Sequence, residues 1–251
     1  MTHFEIVAHR GAREEAPENT LPAFQRAIEL GADAIELDVR LTADRVPVVY
    51  HYFYLDEIAS LSGPIFDYTY DQLKEAAILS GGEQRGQRFT IPTLEQVLEA
   101  VGDQIGLEIE IKGPEPEAAE IIQGALRRFR PLWERMEVTS YEPLLLLGIR
   151  EGCPGLATDL LIPRSEAWMK LDVVAYLAAH RARLARARAV HLHPTQLAPE
   201  VVAAIRQHGI QVHAWDVNDE PALRAAVELN IPRICTDRLR LALSFRQALS
   251  T

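Results

Sequence analysis

The chain has 251 residues, with 26 Lys and Arg against 36 Asp and Glu, a formal net charge of −10. At 48% hydrophobic and 25% charged it has an ordinary globular make-up, which excludes a disordered, collagen-like or disulfide-stapled chain. The acidic excess argues against non-specific nucleic-acid binding, which depends on Lys and Arg neutralising phosphates. Cys153 and Cys235 lie far apart and give neither a disulfide framework nor a thiolate metal cluster. Met1 to Glu5 carry no basic segment leading into an apolar stretch, so no secretory signal is visible. No apolar run approaches the ~18 residues that span a bilayer. The expectation is a soluble, cytoplasmic protein.

In chain order, Glu5-Ile6-Val7-Ala8-His9 predicts a first strand. A helix follows over 20–30, with Leu21, Phe24 and Ile28 on one face and Pro22 tolerated in its first turn. Strands over 34–40 and 46–51 are separated by only Leu41-Thr42-Ala43-Asp44-Arg45, too short for a crossover helix. Residues 52–90 break the rhythm with Gly63-Pro64, Gly81-Gly82 and Gly86, which predicts an insertion or lid after the third strand. Thr93-Leu94-Glu95-Gln96 is a capping box that opens a helix on the stripe Leu94, Val97, Leu98 and Val101. Strands are predicted over 106–112, 136–141, 156–162, 190–193, 211–217 and 233–236. Helices over 117–129, 171–187, 199–208 and 220–229 separate most of them.

This alternation implies a mostly parallel sheet covered by helices, either a closed barrel or a doubly wound fold. Nine strand candidates compete for the eight places of an eight-stranded barrel, so one of them is peripheral.

Residues two apart on a strand share a face, so Glu36, Asp38 and Arg40 oppose Ile35, Leu37 and Val39. Glu108, Glu110 and Lys112 likewise oppose Leu107, Ile109 and Ile111. Crossover helices cover the apolar face, which turns the acids toward the interior. Clustered carboxylates there cannot all stay ionised without a compensating charge. Three carboxylates with water suit a hard divalent cation, Mg²⁺, Ca²⁺ or Mn²⁺, and zinc fits less well without His or Cys in the pairs. His9-Arg10-Gly11 ends the first strand and His51 the third, and C-terminal strand ends form the active face of a parallel barrel. A histidine titrates near neutrality and can give or take a proton. Arg10 and Lys112 suit an anionic oxygen pair such as a phosphate.

Taken together, His9-Arg10-Gly11, Pro17-Glu18-Asn19-Thr20-Leu21, Glu36-Leu37-Asp38, Val48-Val49-Tyr50-His51, Ile91-Pro92-Thr93-Leu94, Glu110-Ile111-Lys112 and Thr236-Asp237 resemble the glycerophosphodiester phosphodiesterase family, in order over nearly the whole chain. The resemblance implies a single (β/α)8 TIM-type barrel over 1–251, related to phosphatidylinositol-specific phospholipase C. Here a helix is missing between strands 2 and 3 and an insertion follows strand 3. It also implies hydrolysis of glycerophosphodiesters to glycerol 3-phosphate and an alcohol. Carried over by motif, Glu36, Asp38 and Glu110 are metal ligands, His9 and His51 the acid–base pair, and Arg10 and Lys112 the phosphate holders. Glu18 and Asn19 support them, and Trp215 flanks the glycerol moiety. The sequence departs from the family pattern where Tyr52 stands in place of an Asp after His51, and where Leu239 replaces a Pro.

Two other readings compete. In one, His191, His193 and His213 form the zinc site of an amidohydrolase-like barrel, although no acidic residue accompanies them at that strand end. In the other, the barrel binds phosphodiesters without turnover. The basic run His-Arg-Ala-Arg-Leu-Ala-Arg-Ala-Arg over 180–188 reads as a solvated helix face, with contact to an anionic membrane surface as its alternative use.

Overall fold

The computed structural model describes residues 4–79 and 88–249. Eight strands pair in parallel into a closed ring: β1 (Glu5–Ala8), β2 (Ala34–Leu41), then β6 (Gly106–Ile111), β7 (Met136–Ser140), β8 (Ala157–Leu161), β9 (Ala189–Leu192), β10 (Gln211–Ala214) and β11 (Arg233–Thr236). Closure comes from β1, which pairs with β11 through Glu5↔Arg233 and with β2 through Val7↔Ala34.

The ninth strand candidate is β3 (Pro47–Val49), which runs antiparallel to β2 at its outer end, with Val39 opposite Val49. The link 42–46 is therefore a hairpin turn and not a crossover that lacks its helix. A link of five residues can only reverse the chain, because parallel neighbours need a dozen or more residues between them. The crossover from β2 to β6 is completed by α3 (Leu94–Val101), whose N-terminus carries the Thr93/Gln96 capping box.

Between β3 and α3 lie two short 3-10 turns, α2 (Tyr70–Leu73), and a two-stranded piece of β4 (Ile78–Leu79) and β5 (Arg88–Phe89). These elements bury an apolar cluster of their own around Tyr50, Leu55, Ile65, Leu73 and Ile91. Gly81, Gly82 and Gly86, which mark this segment in the sequence, lie outside the described residues.

The remaining helices wrap the ring: α1 (Leu21–Leu30), α4 (Ala118–Arg128), α5 (Pro143–Gly152), α6 (Leu171–Ala185), α7 (Pro199–Arg206), α8 (Glu220–Glu228) and α9 (Leu239–Ala248). Their apolar stripes, among them Phe24, Ile122, Leu126, Leu146, Ile149 and Ile205, meet the outward residues Ile35, Leu37, Val39, Leu107, Ile109 and Val138 in one core. Each such side chain contributes about 1.5–3 kcal/mol by leaving water. The helix-facing side is thus apolar, and the alternate residues of each strand point into the ring. No helix among the described residues is long and apolar enough to cross a membrane.

The basic run at 180–188 does not act as one face. Helix α6 ends at Ala185, and Arg186 turns the chain with φ 50°. Arg181 donates to the Tyr141 carbonyl, while Arg188 turns inward to Asp159 and Glu137.

The loop after β1 takes a sharp left-handed turn, Arg10 at φ 57° and Gly11 at φ 85°. A Cβ on Gly11 would come within 2.8 Å of the Ala23 backbone carbon in α1. Gly11→Ala is therefore expected to cost about 1–3 kcal/mol of stability in urea unfolding, from the positive φ and the backbone clash combined.

Candidate active site

The left-handed turn at Arg10 sets the site's first contacts. Its backbone N–H donates to Glu36 Oε2 at 3.0 Å. Its side chain reaches Glu18 through Nη1 at 2.8 Å and Asp38 Oδ2 through Nε at 3.1 Å. Asn19, also left-handed at φ 58°, clamps Asp38 from both ends. Its Nδ2 donates to Asp38 Oδ2 at 2.8 Å, and its Oδ1 accepts from the Asp38 N–H at 3.3 Å. From β6, Glu110 stands beside Asp38 in register. Lys112 Nζ bridges the two, 3.1 Å from Asp38 Oδ1 and 2.9 Å from Glu110 Oε1.

Glu36, Asp38 and Glu110 are all buried, and each offers an oxygen within 4.8 Å of the others. Burial, with Asp38 and Glu110 nearby, pushes the Glu36 carboxyl well above its usual range. Burial likewise lifts Glu110 to about 7, although Lys112 opposes the rise. Burial also works upward on Asp38, but Lys112 and Arg10 outweigh it and hold this carboxyl below its usual range. Glu36 Oε1, Asp38 Oδ1 and Glu110 Oε1 accept no hydrogen bond. Lys112 compensates the last two as an ion pair, which leaves Glu36 Oε1 the uncompensated lone pair of the trio. Three such oxygens, with no nitrogen or sulfur among them, suit a hard divalent cation.

The histidines frame this trio. His9 Nδ1 lies 2.7 Å from Asp237 Oδ1, and its Nε2 stands 3.8 Å from Glu36 Oε2. Asp237 is itself anchored by the Asn218 side chain, which accepts from its N–H at 2.7 Å, and by Arg13 at 3.0 Å. The dyad keeps the His9 proton on Nδ1 and leaves Nε2 to face the carboxylates. Burial works upward on Asp237, yet its contact with His9 holds the carboxyl below its usual range.

His51 is held by its backbone, whose carbonyl accepts from Arg40 Nε at 2.8 Å, and by edge contact with Tyr52 at 4.7 Å. Its buried Nδ1 has no hydrogen-bond partner, so Tyr52 does not replace the missing carboxylate. Burial lowers the His51 pKa to about 3, with Asp38 opposing and Lys112 and Arg10 reinforcing the fall.

The barrel thus gathers His9, Arg10, Glu36, Asp38, Glu110 and Lys112 from β1, β2 and β6, and the chain after the peripheral antiparallel β3, not a barrel strand end, adds His51. Trp215 has other anchors. Its Nε1 donates to the Ile162 carbonyl at 3.2 Å, its ring meets His193 edge-on, and it packs on Val7, Ala34 and Cys235. Sequence reasoning missed the contact of Asp237 with His9, although the Thr236-Asp237 pair is visible. It also missed Tyr141, just past the end of β7, whose phenol is pushed up by burial and then by Glu110 and Glu36.

The zinc reading is corrected by the structure. His193 is caught by Thr195 at 2.8 Å and Asp216 at 3.5 Å, away from the other two histidines. His191 and His213 do have acidic neighbours, Glu108, Glu137 and Asp159, supplied by other strands at the opposite end of the barrel. A strand's own sequence does not display what the adjacent strands place at its level.

Proton-transfer groups beside a cradle for a hard cation and anion-seeking side chains, on the catalytic rim of a parallel barrel, equip a hydrolase of phosphate esters. Comparison with known proteins agrees. The model of the glycerophosphoryl diester phosphodiesterase family matches residues 9–241, and the chain belongs to that family. It is 32% identical over 241 residues to a glycerophosphodiester phosphodiesterase of Caldanaerobacter subterraneus subsp. tengcongensis, covering 92% of this chain and 93% of that one. Solved glycerophosphodiester phosphodiesterases share the fold. That of Thermotoga maritima is 30% identical with a TM-score of 0.73, covering 97% and 98% of the two chains. That of Agrobacterium tumefaciens is 26% identical with a TM-score of 0.78, covering 96% and 99%. The chain is a phosphoric diester hydrolase.

The clamp on Asp38 generates one expectation. Asn19→Ala removes both of its contacts, and divalent-cation affinity measured by isothermal titration should fall about 10- to 100-fold, as when outer hydrogen-bond partners of metal ligands are lost.

Proposed function

We propose that the chain hydrolyses glycerophosphodiesters to glycerol 3-phosphate and an alcohol, with Glu36, Asp38 and Glu110 holding one divalent cation, Mg²⁺, Ca²⁺ or Mn²⁺. The observation that carries this reading is the buried Glu36, whose Oε1 accepts no hydrogen bond, grouped within cation reach of Asp38 and Glu110 and with the oriented His9 imidazole next to its carboxylate. When bound, the cation supplies positive charge to the non-bridging phosphate oxygens as the transition state forms.

The chain's own residues do the rest. Arg10 and Lys112 hold the phosphate between them, each already fixed by carboxylates. Asp237 keeps a proton on His9 Nδ1, so His9 Nε2 takes the proton of the nucleophile. That nucleophile is water or the substrate's own neighbouring hydroxyl, the second route passing through a cyclic phosphate. His51 delivers a proton to the departing alkoxide. Burial, reinforced by Lys112 and Arg10, biases the free imidazole toward its neutral form, and the phosphodiester monoanion seated between those two cations offsets part of that bias. Trp215 flanks the glycerol moiety with its half-buried indole.

The test is release of glycerol 3-phosphate from glycerophosphocholine, glycerophosphoethanolamine and glycerophosphoinositol with each cation in turn. His9→Ala and His51→Ala should each lose at least ~100-fold in rate, the lower range for general acid–base groups. Near wild-type turnover by His51→Ala would move the acid to another residue. Phosphorus NMR during turnover separates the two nucleophiles, because a transient cyclic ester appears only when the substrate hydroxyl attacks.

A further inference from the structure

The interior of the barrel carries a second polar cluster at the N-terminal ends of the strands, away from the rim and unused by the proposed reaction. Four successive strands contribute to it: Glu137 from β7, Asp159 from β8, His191 from β9 and His213 from β10, all buried. His191 Nε2 lies 3.4 Å from Asp159 Oδ2, 3.2 Å from His213 Nδ1 and 3.9 Å from Glu137 Oε1, and His213 Nδ1 lies 3.6 Å from Asp159 Oδ2. Zinc bound at about 2.0–2.1 Å in tetrahedral geometry separates its ligand atoms by about 3.4 Å. The measured spacings straddle that value.

Two further observations point to a cation. Glu137 Oε1 accepts no hydrogen bond although the residue is only 3% exposed; Arg233 Nε approaches it at 3.1 Å without hydrogen-bond alignment. On the far side of the imidazole, His191 Nδ1 is buried without a hydrogen bond 3.4 Å from Glu108 Oε1, the position from which a carboxylate can orient a metal-binding histidine. The other charged neighbours are Glu108 and the guanidiniums of Arg188 and Arg233, which pair with the cluster's carboxylates. Access exists as well, since a cavity of about 680 Å³ opens from this end of the barrel onto Glu137, Arg188, His213 and Arg233.

We propose that Glu137, Asp159, His191 and His213 bind one zinc-class divalent ion at the base of the barrel, where it ties β7, β8, β9 and β10 together. Two imidazoles with two carboxylates favour Zn²⁺ over the hard cations suited to the all-oxygen rim. The alternative occupant of the same gap is a proton shared among the imidazoles and carboxylates, and the test separates the two.

The protein is stripped with a chelator, dialysed against zinc chloride, and its metal counted, first as wild type and then as the Glu36→Gln/Asp38→Asn chain, whose rim ligands are disabled. The rim-disabled chain should retain one equivalent of zinc, and adding His213→Ala should remove it. X-ray absorption on zinc-loaded wild type gives a readout that does not depend on any variant folding, and it should show scattering from two imidazoles. A rim-disabled, folded chain that holds no zinc overturns the proposal, as does a wild-type spectrum with oxygen neighbours alone.

Discussion

Everything at the catalytic rim follows from placing three carboxylates where water cannot solvate them. Glu36, Asp38 and Glu110 are buried in the barrel mouth, within reach of one another's charge. Desolvation and mutual repulsion would neutralise such a group were nothing positive near it. Arg10 and Lys112 answer part of that demand and are in turn immobilised by it, so the side chains best suited to a phosphate are fixed before any substrate arrives. The remainder of the demand is centred on Glu36, whose Oε1 is buried without a hydrogen bond. Preorganised charge of this kind acts on a transition state without the cost of rearranging at the moment of reaction.

The same strand alternation that builds the rim builds the base. Outward residues meet the helices in a continuous apolar core, and the inward residues are polar at both ends of the ring. A middle band of Val7, Ala34 and Cys235 with Trp215 gives it an apolar layer. The two polar groups differ in chemistry as well as position. The rim trio offers oxygen alone, with histidines at its edge, whereas the base places two imidazoles among the acids.

Much of this was legible in the sequence, and the limits have physical causes. Period-two alternation in 34–40 and 106–112 announced which acids face inward, and the Thr93 capping box announced the start of α3. The hairpin nature of β3 was implicit in a five-residue link, but the excess strand could be identified only by pairing. The strand expected over 211–217 stops at Ala214, because Asp216 adopts φ 60° and bends the chain so that Trp215 turns on Ile162. Contacts between strands distant in sequence were the least visible. His9 and Asp237 are separated by 228 positions and become neighbours only when β1 closes against β11. Glu108, Glu137 and Asp159 meet His191 for the same reason, and Arg188 looked like part of a solvated run until the turn after α6 aimed it inward.

The claim on which the account rests is that the acids at the rim form one cation site. Manganese titration followed by electron paramagnetic resonance measures it directly, comparing the wild-type chain with Glu36→Gln. The substitution keeps the shape and removes the charge of the residue whose Oε1 lacks a partner. The account predicts saturable binding of one rim ion by the wild type, weakened at least ~10-fold by the substitution. Equal manganese affinity in the two chains would contradict it.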